Sequence, residues 1–96
     1  MRLLKINKGD GTSKTINANF VAGVLIKDAD EIEIIYHTAS TNIDRLVITY
    51  TNTNQTSPMQ MREFFNNAII RSASGNNTSP ILEVTSPLPI TAFAFV

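Results

Sequence analysis

Few residues in this chain invite a chemical reading. His37 is the lone histidine. Beside Tyr36 and near Glu33, it occupies the position of a general base. There is no thiol for it to activate, because the chain has no cysteine. No serine stands in a G-x-S-x-G turn either. A single histidine also makes a poor metal site, so His37 reads as a solvated residue on a strand face. Asp28, Asp30, Glu31 and Glu33 form a second constellation, the hard oxygen donors that Ca²⁺ or Mg²⁺ would take. An EF-hand loop needs oxygens at set spacings, a central glycine and a closing glutamate. Only Asp28-x-Asp30 matches, and solvated turn and strand acids are the default. Lys8-Gly9-Asp10-Gly11-Thr12-Ser13-Lys14 has the look of a phosphate loop without the G-x-x-x-x-G-K-[ST] spacing. It joins two expected strands and opens no helix, so it reads as a turn. Asn54-Gln55-Thr56, Asn76-Asn77-Thr78 and Asn77-Thr78-Ser79 fit a glycosylation acceptor pattern and are read only as polar, exposed loops. No catalytic residue, metal ligand or cofactor is expected, and the chain is not expected to be an enzyme.

Tyr36, Tyr50, Phe93 and Phe95 would serve as base-stacking platforms if they lay exposed among cations. Tyr36 sits in an acidic stretch and the last ten residues carry no Lys or Arg, so core or interface packing is the expectation. Charge is balanced over the chain, eight basic against eight acidic residues. It is unevenly placed, however. Residues 1–27 carry a net +4, whereas residues 28–44 hold five acids and no base, a net −5. Cross-strand neutralisation is one reading. A basic patch meeting an acidic patch on a neighbouring subunit is the other.

These side chains must be positioned by a small frame. At 96 residues the chain makes a single domain, 1–96, near the low end of sizes that hold a core unaided. Only 17% of it is charged, and 10 Asn, 11 Thr and 7 Ser fill the place of charge. Thr favours strands and Asn favours turns, so the composition fits a β-rich domain with short loops.

One helix is expected at 57–72. Ser57 suits an N-cap, Pro58 the first helical position, and Gln60 completes a capping box. Met61, Phe64, Phe65, Ala68 and Ile69 share one apolar face, while Arg62, Glu63, Asn66, Asn67 and Arg71 take the other. Gly75 is the expected stop.

Four strands are expected before the helix: Arg2–Ile6, Thr15–Ile26, Glu31–Thr38 and Ile43–Thr51. The second alternates along Ile16, Ala18, Phe20, Ala22, Val24 and Ile26, then becomes apolar on both faces, with Gly23 as the place for a bend or bulge. Two strands follow the helix, Pro80–Ser86 and Ile90–Val96, separated by Pro87-Leu88-Pro89. The fold class expected is mainly β (α+β), six short antiparallel strands in the order ββββαββ. Closing into a small SH3/Sm-like barrel with one covering helix would remove strand edges. An open antiparallel sheet under the helix is the second architecture.

A Cys-free, Asn/Thr-rich β-domain starting at Met1 and ending in a strand resembles, in style across the whole chain, small uncharacterised proteins of marine phages and related metagenomic sequences. That resemblance implies a structural virion or assembly component. The architecture is similar to Sm-type proteins, although the helix here stands between strands four and five and in that family it precedes the strands. The function expected is a non-enzymatic structural or assembly module acting as a homo-oligomer, burying Phe93, Phe95 and Val96 or pairing an edge strand with its mate. The alternative is an Sm-like nucleic-acid-binding ring, with Arg2, Lys5, Lys8 and Lys14 on the phosphates. The longest apolar run, Phe20–Ile26, is too short to span a bilayer, and the N-terminus has no secretory h-region. The expected place is therefore the cytoplasm of the producing cell or the virion.

Overall fold

The structure, a computed structural model, describes residues 2–9, 11–37, 43–74 and 81–95. Seven strands and one helix follow in the order β1 (Leu3–Asn7), β2 (Ser13–Asn17), β3 (Val21–Asp28), β4 (Glu31–His37), β5 (Ile43–Tyr50), α1 (Ser57–Ser74), β6 (Ile81–Thr85) and β7 (Ile90–Phe95). They build two sheets, a three-stranded one in the order β2-β1-β6 and a four-stranded one in the order β3-β4-β5-β7. The chain is thus mainly β with one helix. The two sheets do not close into a barrel among the described residues.

The seventh strand arises because the long second strand expected over Thr15–Ile26 breaks in two. A single 3-10 turn, Ala18–Phe20, separates β2 from β3. Asn17 Oδ1 accepts the Asn19 N–H at 3.0 Å, and Asn19 Oδ1 accepts the Arg2 N–H at 3.1 Å. Ala18, buried at this corner, donates its N–H to the Arg2 carbonyl at 2.9 Å. Two asparagines offering local side-chain acceptors thus outcompete the strand ladder here. Gly23 lies at a register shift between Val21 and Gly23, so the bulge, though not the corner, falls where glycine was expected to put it.

The strands are not all antiparallel. β6 runs parallel to β1, Leu4 opposite Leu82 and Ile6 opposite Val84. A parallel pair needs a long crossover, and the chain between β1 and β6 includes the whole 18-residue helix. The β1–β2 hairpin turns through Gly9 and Gly11, both at positive φ, and closes with Lys8 N–H on the Thr12 carbonyl at 3.0 Å.

The inner faces of both sheets meet over the core. Leu4, Ile6 and Ile16 contribute from one sheet, and Ile32, Ile34, Leu46 and Ile48 from the other. Helix α1 lies against β3 and β1 and adds Met61, Phe65, Ala68 and Ile69, while Phe64 is only partly covered. Ser72, fully buried, donates its hydroxyl to the Leu3 carbonyl at 3.2 Å.

The helix starts differently from the expectation. Gln60 N–H bonds the Thr56 carbonyl at 3.0 Å, which makes Thr56 the N-cap and Ser57 the first helical residue. Ser57 Oγ faces backwards and accepts the N–H groups of Thr53 at 3.2 Å and Asn54 at 3.1 Å. Arg62, placed on the solvent face by periodicity, instead donates Nε–H to the Val24 carbonyl at 3.1 Å and ties the helix to β3. Gly75, Pro80 and Val96 lie outside the described residues.

Candidate functional site

Strand β7 carries the residues singled out for an interface. Its register on β5 sets Phe95 opposite Leu46 and Phe93 opposite Ile48, so both rings point to the inner side of the sheet. Phe93 is partly covered and packs on the core, whereas Phe95 remains 50% exposed. Tyr36 meets Phe95 edge to face, the ring centroids 6.2 Å apart. From the other sheet, Lys14 Nζ stands 5.2 Å from the centre of the Phe95 ring. Val96 lies outside the described residues.

The four basic residues named for phosphate contact do not share one surface. Lys5 pairs opposite Thr15 and Glu83, on the outer side of the three-stranded sheet. Lys14 pairs opposite Ile6, on the inner side, where its ammonium covers Phe95. Arg2 precedes β1 and Lys8 begins the hairpin turn. Asn7 Nδ2 donates to Glu83 Oε1 at 2.9 Å, which adds an acid to the Lys5 side.

The acidic cluster divides in two. Asp28, Asp30 and Glu31 converge at the β3–β4 turn, with carboxylate oxygens within 4.8 Å of one another. Tyr50 fixes that turn from below: its hydroxyl donates to the Ala29 carbonyl at 2.9 Å and its N–H to the Asp30 carbonyl at 2.9 Å. Burial, and then the nearby Asp30 charge, push the Tyr50 phenol above its usual range. The two aspartates are exposed and Glu31 is half-buried, the setting of a solvated acidic turn. Glu33 is elsewhere. It sits on the outer face of the four-stranded sheet, its side chain 9% exposed, with Arg45 Nη1 3.3 Å from Oε1. The Arg45 side chain is itself 51% exposed. Sequence reasoning missed this pair. Its signal was one acid and one base set two strands' width apart in otherwise apolar or threonine-bearing outer rows.

His37 ends β4 with its backbone opposite Ile43, and its side chain lies outside the described atoms. The loop Lys8–Lys14 is a hairpin turn, as its position between strands implied. Asn54 Oδ1 accepts the Thr56 hydroxyl at 2.6 Å and the Thr56 N–H at 2.9 Å, which shapes the loop entering α1. Asn76 and Asn77 lie outside the described residues. An open groove of about 470 Å³ separates Asn7, Lys8 and Gly9 from Ser86, Leu88 and Ile90. The Ser86 hydroxyl there is turned to the Leu88 backbone, 2.6 Å from its carbonyl. No helix among the described residues is long and apolar enough to cross a membrane.

Comparison with protein-family models, with curated proteins and with solved structures finds no match to this chain.

Proposed function

We propose that the chain is a structural module that assembles with copies of itself through β7, as a component of a larger scaffold such as a virion. The observation that carries this reading is the undefended outer edge of β7. The run Ile90–Phe95 holds no charge and no proline, ends in a half-exposed Phe95, and has no strand beyond it in the described sheet. Proteins normally blunt such edges with charge, proline or a cover. The other outer strands here carry such devices. Arg62 ties α1 to β3, β2 turns Lys14 inward, and β6 runs directly into Pro87. A second copy that adds its own β7 to this edge would satisfy the free backbone groups and cover Phe95.

The test is absolute mass by light scattering after size exclusion, at low and at high salt. The expected result is a defined oligomer that survives high salt. Phe95→Asp should lower its mass while leaving a cooperative unfolding transition, because the new carboxylate would face Lys14. An oligomer unchanged by this substitution would overturn the reading.

A further inference from the structure

We propose that the outer face of the four-stranded sheet is a second contact, stacking on the same face of another copy so that Arg45 of each copy reaches Glu33 of the other. Leu25, Glu33, Val47 and Ala94 lie in one row across β3, β4, β5 and β7. Gly23, Ile35 and Arg45 make the next. Alternation along the strands turns both rows away from the core, since Ile34, Leu46 and Phe95 point inward. Glu33 and Arg45 are the only charges in these rows. A sheet with apolar residues on both faces is the pattern of a sheet covered on both sides, yet Leu25 is 47% exposed.

The ion pair says what covers it. The Glu33 side chain is almost enclosed, and among the described residues only Arg45 Nη1 reaches its carboxylate. An enclosed carboxylate is costly unless its oxygens are bonded, and here one oxygen has no donor. Arg45 has five N–H donors and is half exposed. Two copies related by a two-fold axis supply the missing donor twice over, because each contact is repeated by symmetry. The rows carry one acid and one base, so copy meets copy without net repulsion. A foreign partner would need to bring a matched pair, whereas a second copy has one by construction. The acidic turn at Asp28, Asp30 and Glu31 lies at one end of this sheet. An axis running across the strands keeps the two turns at opposite ends of the stack, where their charges do not meet.

Four strands spaced about 4.8 Å apart and roughly 23 Å long give a face of about 450 Å² per copy. That is about half of what a typical stable interface buries on each partner. The contact is therefore weak alone and gains from the β7 contact by avidity. It draws on the assembly reading for that strength only, and the test separates the two.

The test uses the full chain carrying Phe95→Asp, which removes the β7 contact, with sedimentation equilibrium up to millimolar protein. The expected result is a monomer–dimer equilibrium. Leu25→Lys, at a position the fold already exposes, should leave only monomer. Glu33→Arg and Arg45→Glu should each do the same alone, and mixing those two variants in equal amounts should restore the dimer, since each supplies the charge the other lost. Monomer at every concentration overturns the proposal, and so does a dimer that ignores all three substitutions. Either result leaves the β7 reading to be judged separately, from the drop in mass that Phe95→Asp causes on its own.

Discussion

The Lys14 ammonium stands 5.2 Å from the centre of the Phe95 ring and joins the edge strand of one sheet to the edge strand of the other. A cation over an aromatic face is held by the ring quadrupole and gains about 0.5–1 kcal/mol at partly exposed sites. Lys14→Met keeps the apolar stem and removes the charge. The expected outcome is a loss of about 0.5–1 kcal/mol, read as a lower urea midpoint at unchanged slope. Raising the salt concentration should weaken the wild type toward the variant, because the contact is electrostatic and half open to solvent. Equal midpoints for the two proteins at low salt would show that the contact adds nothing.

Ser57 is fully buried, and its hydroxyl takes two backbone N–H groups from the segment before the helix. Ser57→Ala strips both bonds and leaves the Thr53 and Asn54 amides short of an acceptor. The expected cost is about 1–3 kcal/mol, measured by thermal or urea unfolding. Because Gln60 N–H is held by the Thr56 carbonyl, the helix itself should persist. Hydrogen exchange should therefore quicken at Thr53 and Asn54 before it quickens within α1. Faster exchange spread evenly along α1 would instead mark Ser57 as a true helix cap.

The sequence made the helix and most strands legible through hydrophobic period alone. Met61, Phe65, Ala68 and Ile69 fall on the buried face as their spacing required, and Ile32, Ile34, Leu46 and Ile48 alternate into the core. Events decided by one side chain finding a distant backbone group were not legible. The corner at Ala18–Phe20 depends on Asn19 meeting Arg2 across seventeen residues. Arg62 leaves the polar face of the helix because the Val24 carbonyl is within reach. The parallel pairing of β6 on β1 depends on the path of the whole connection, which local period does not encode. The candidate site shows the same limit. Lys14 and Phe95 were each noticed, but for competing readings, and only the tertiary fold puts them in one contact. The four acids of residues 28–33 read as one cluster, yet a strand's alternation and a bulge send Glu33 to a different surface from Asp28 and Asp30.

Arg62 donates to the Val24 carbonyl of β3, an outer strand whose Leu25 and Ile26 remain about half exposed. Arg62→Ala frees that carbonyl and loosens the cover that α1 gives the edge. A loss of about 1 kcal/mol is expected, together with faster aggregation on warming, since an uncovered apolar edge strand recruits other chains. Arg62→Lys keeps a donor and should recover most of the stability. If Arg62→Ala matched the wild type in both measurements, the bond would be incidental to the helix–sheet packing.

Tyr50 gives the chain an alkaline limit. Its phenol is raised above the usual value near 10 by burial first and by the Asp30 charge second. The unfolded chain therefore gives up this proton at lower pH than the folded chain does. Above about pH 10 the unfolded state binds fewer protons, so stability falls as pH rises. Below that pH the contribution is fully present, and it is lost as pH climbs toward the raised folded value. Tyr50→Phe removes the ionisation and also the hydrogen bond to the Ala29 carbonyl, so the variant should be less stable near neutrality by about 1 kcal/mol. Its stability should nevertheless decline less steeply between pH 10 and 12 than that of the wild type. The two curves should converge as the alkaline range is entered. Urea midpoints across that range, corrected for lysine titration common to both proteins, check the sign. Parallel curves would mean that Tyr50 ionises as easily folded as unfolded, and that its grip on the Asp28–Glu31 turn is not what fails at high pH.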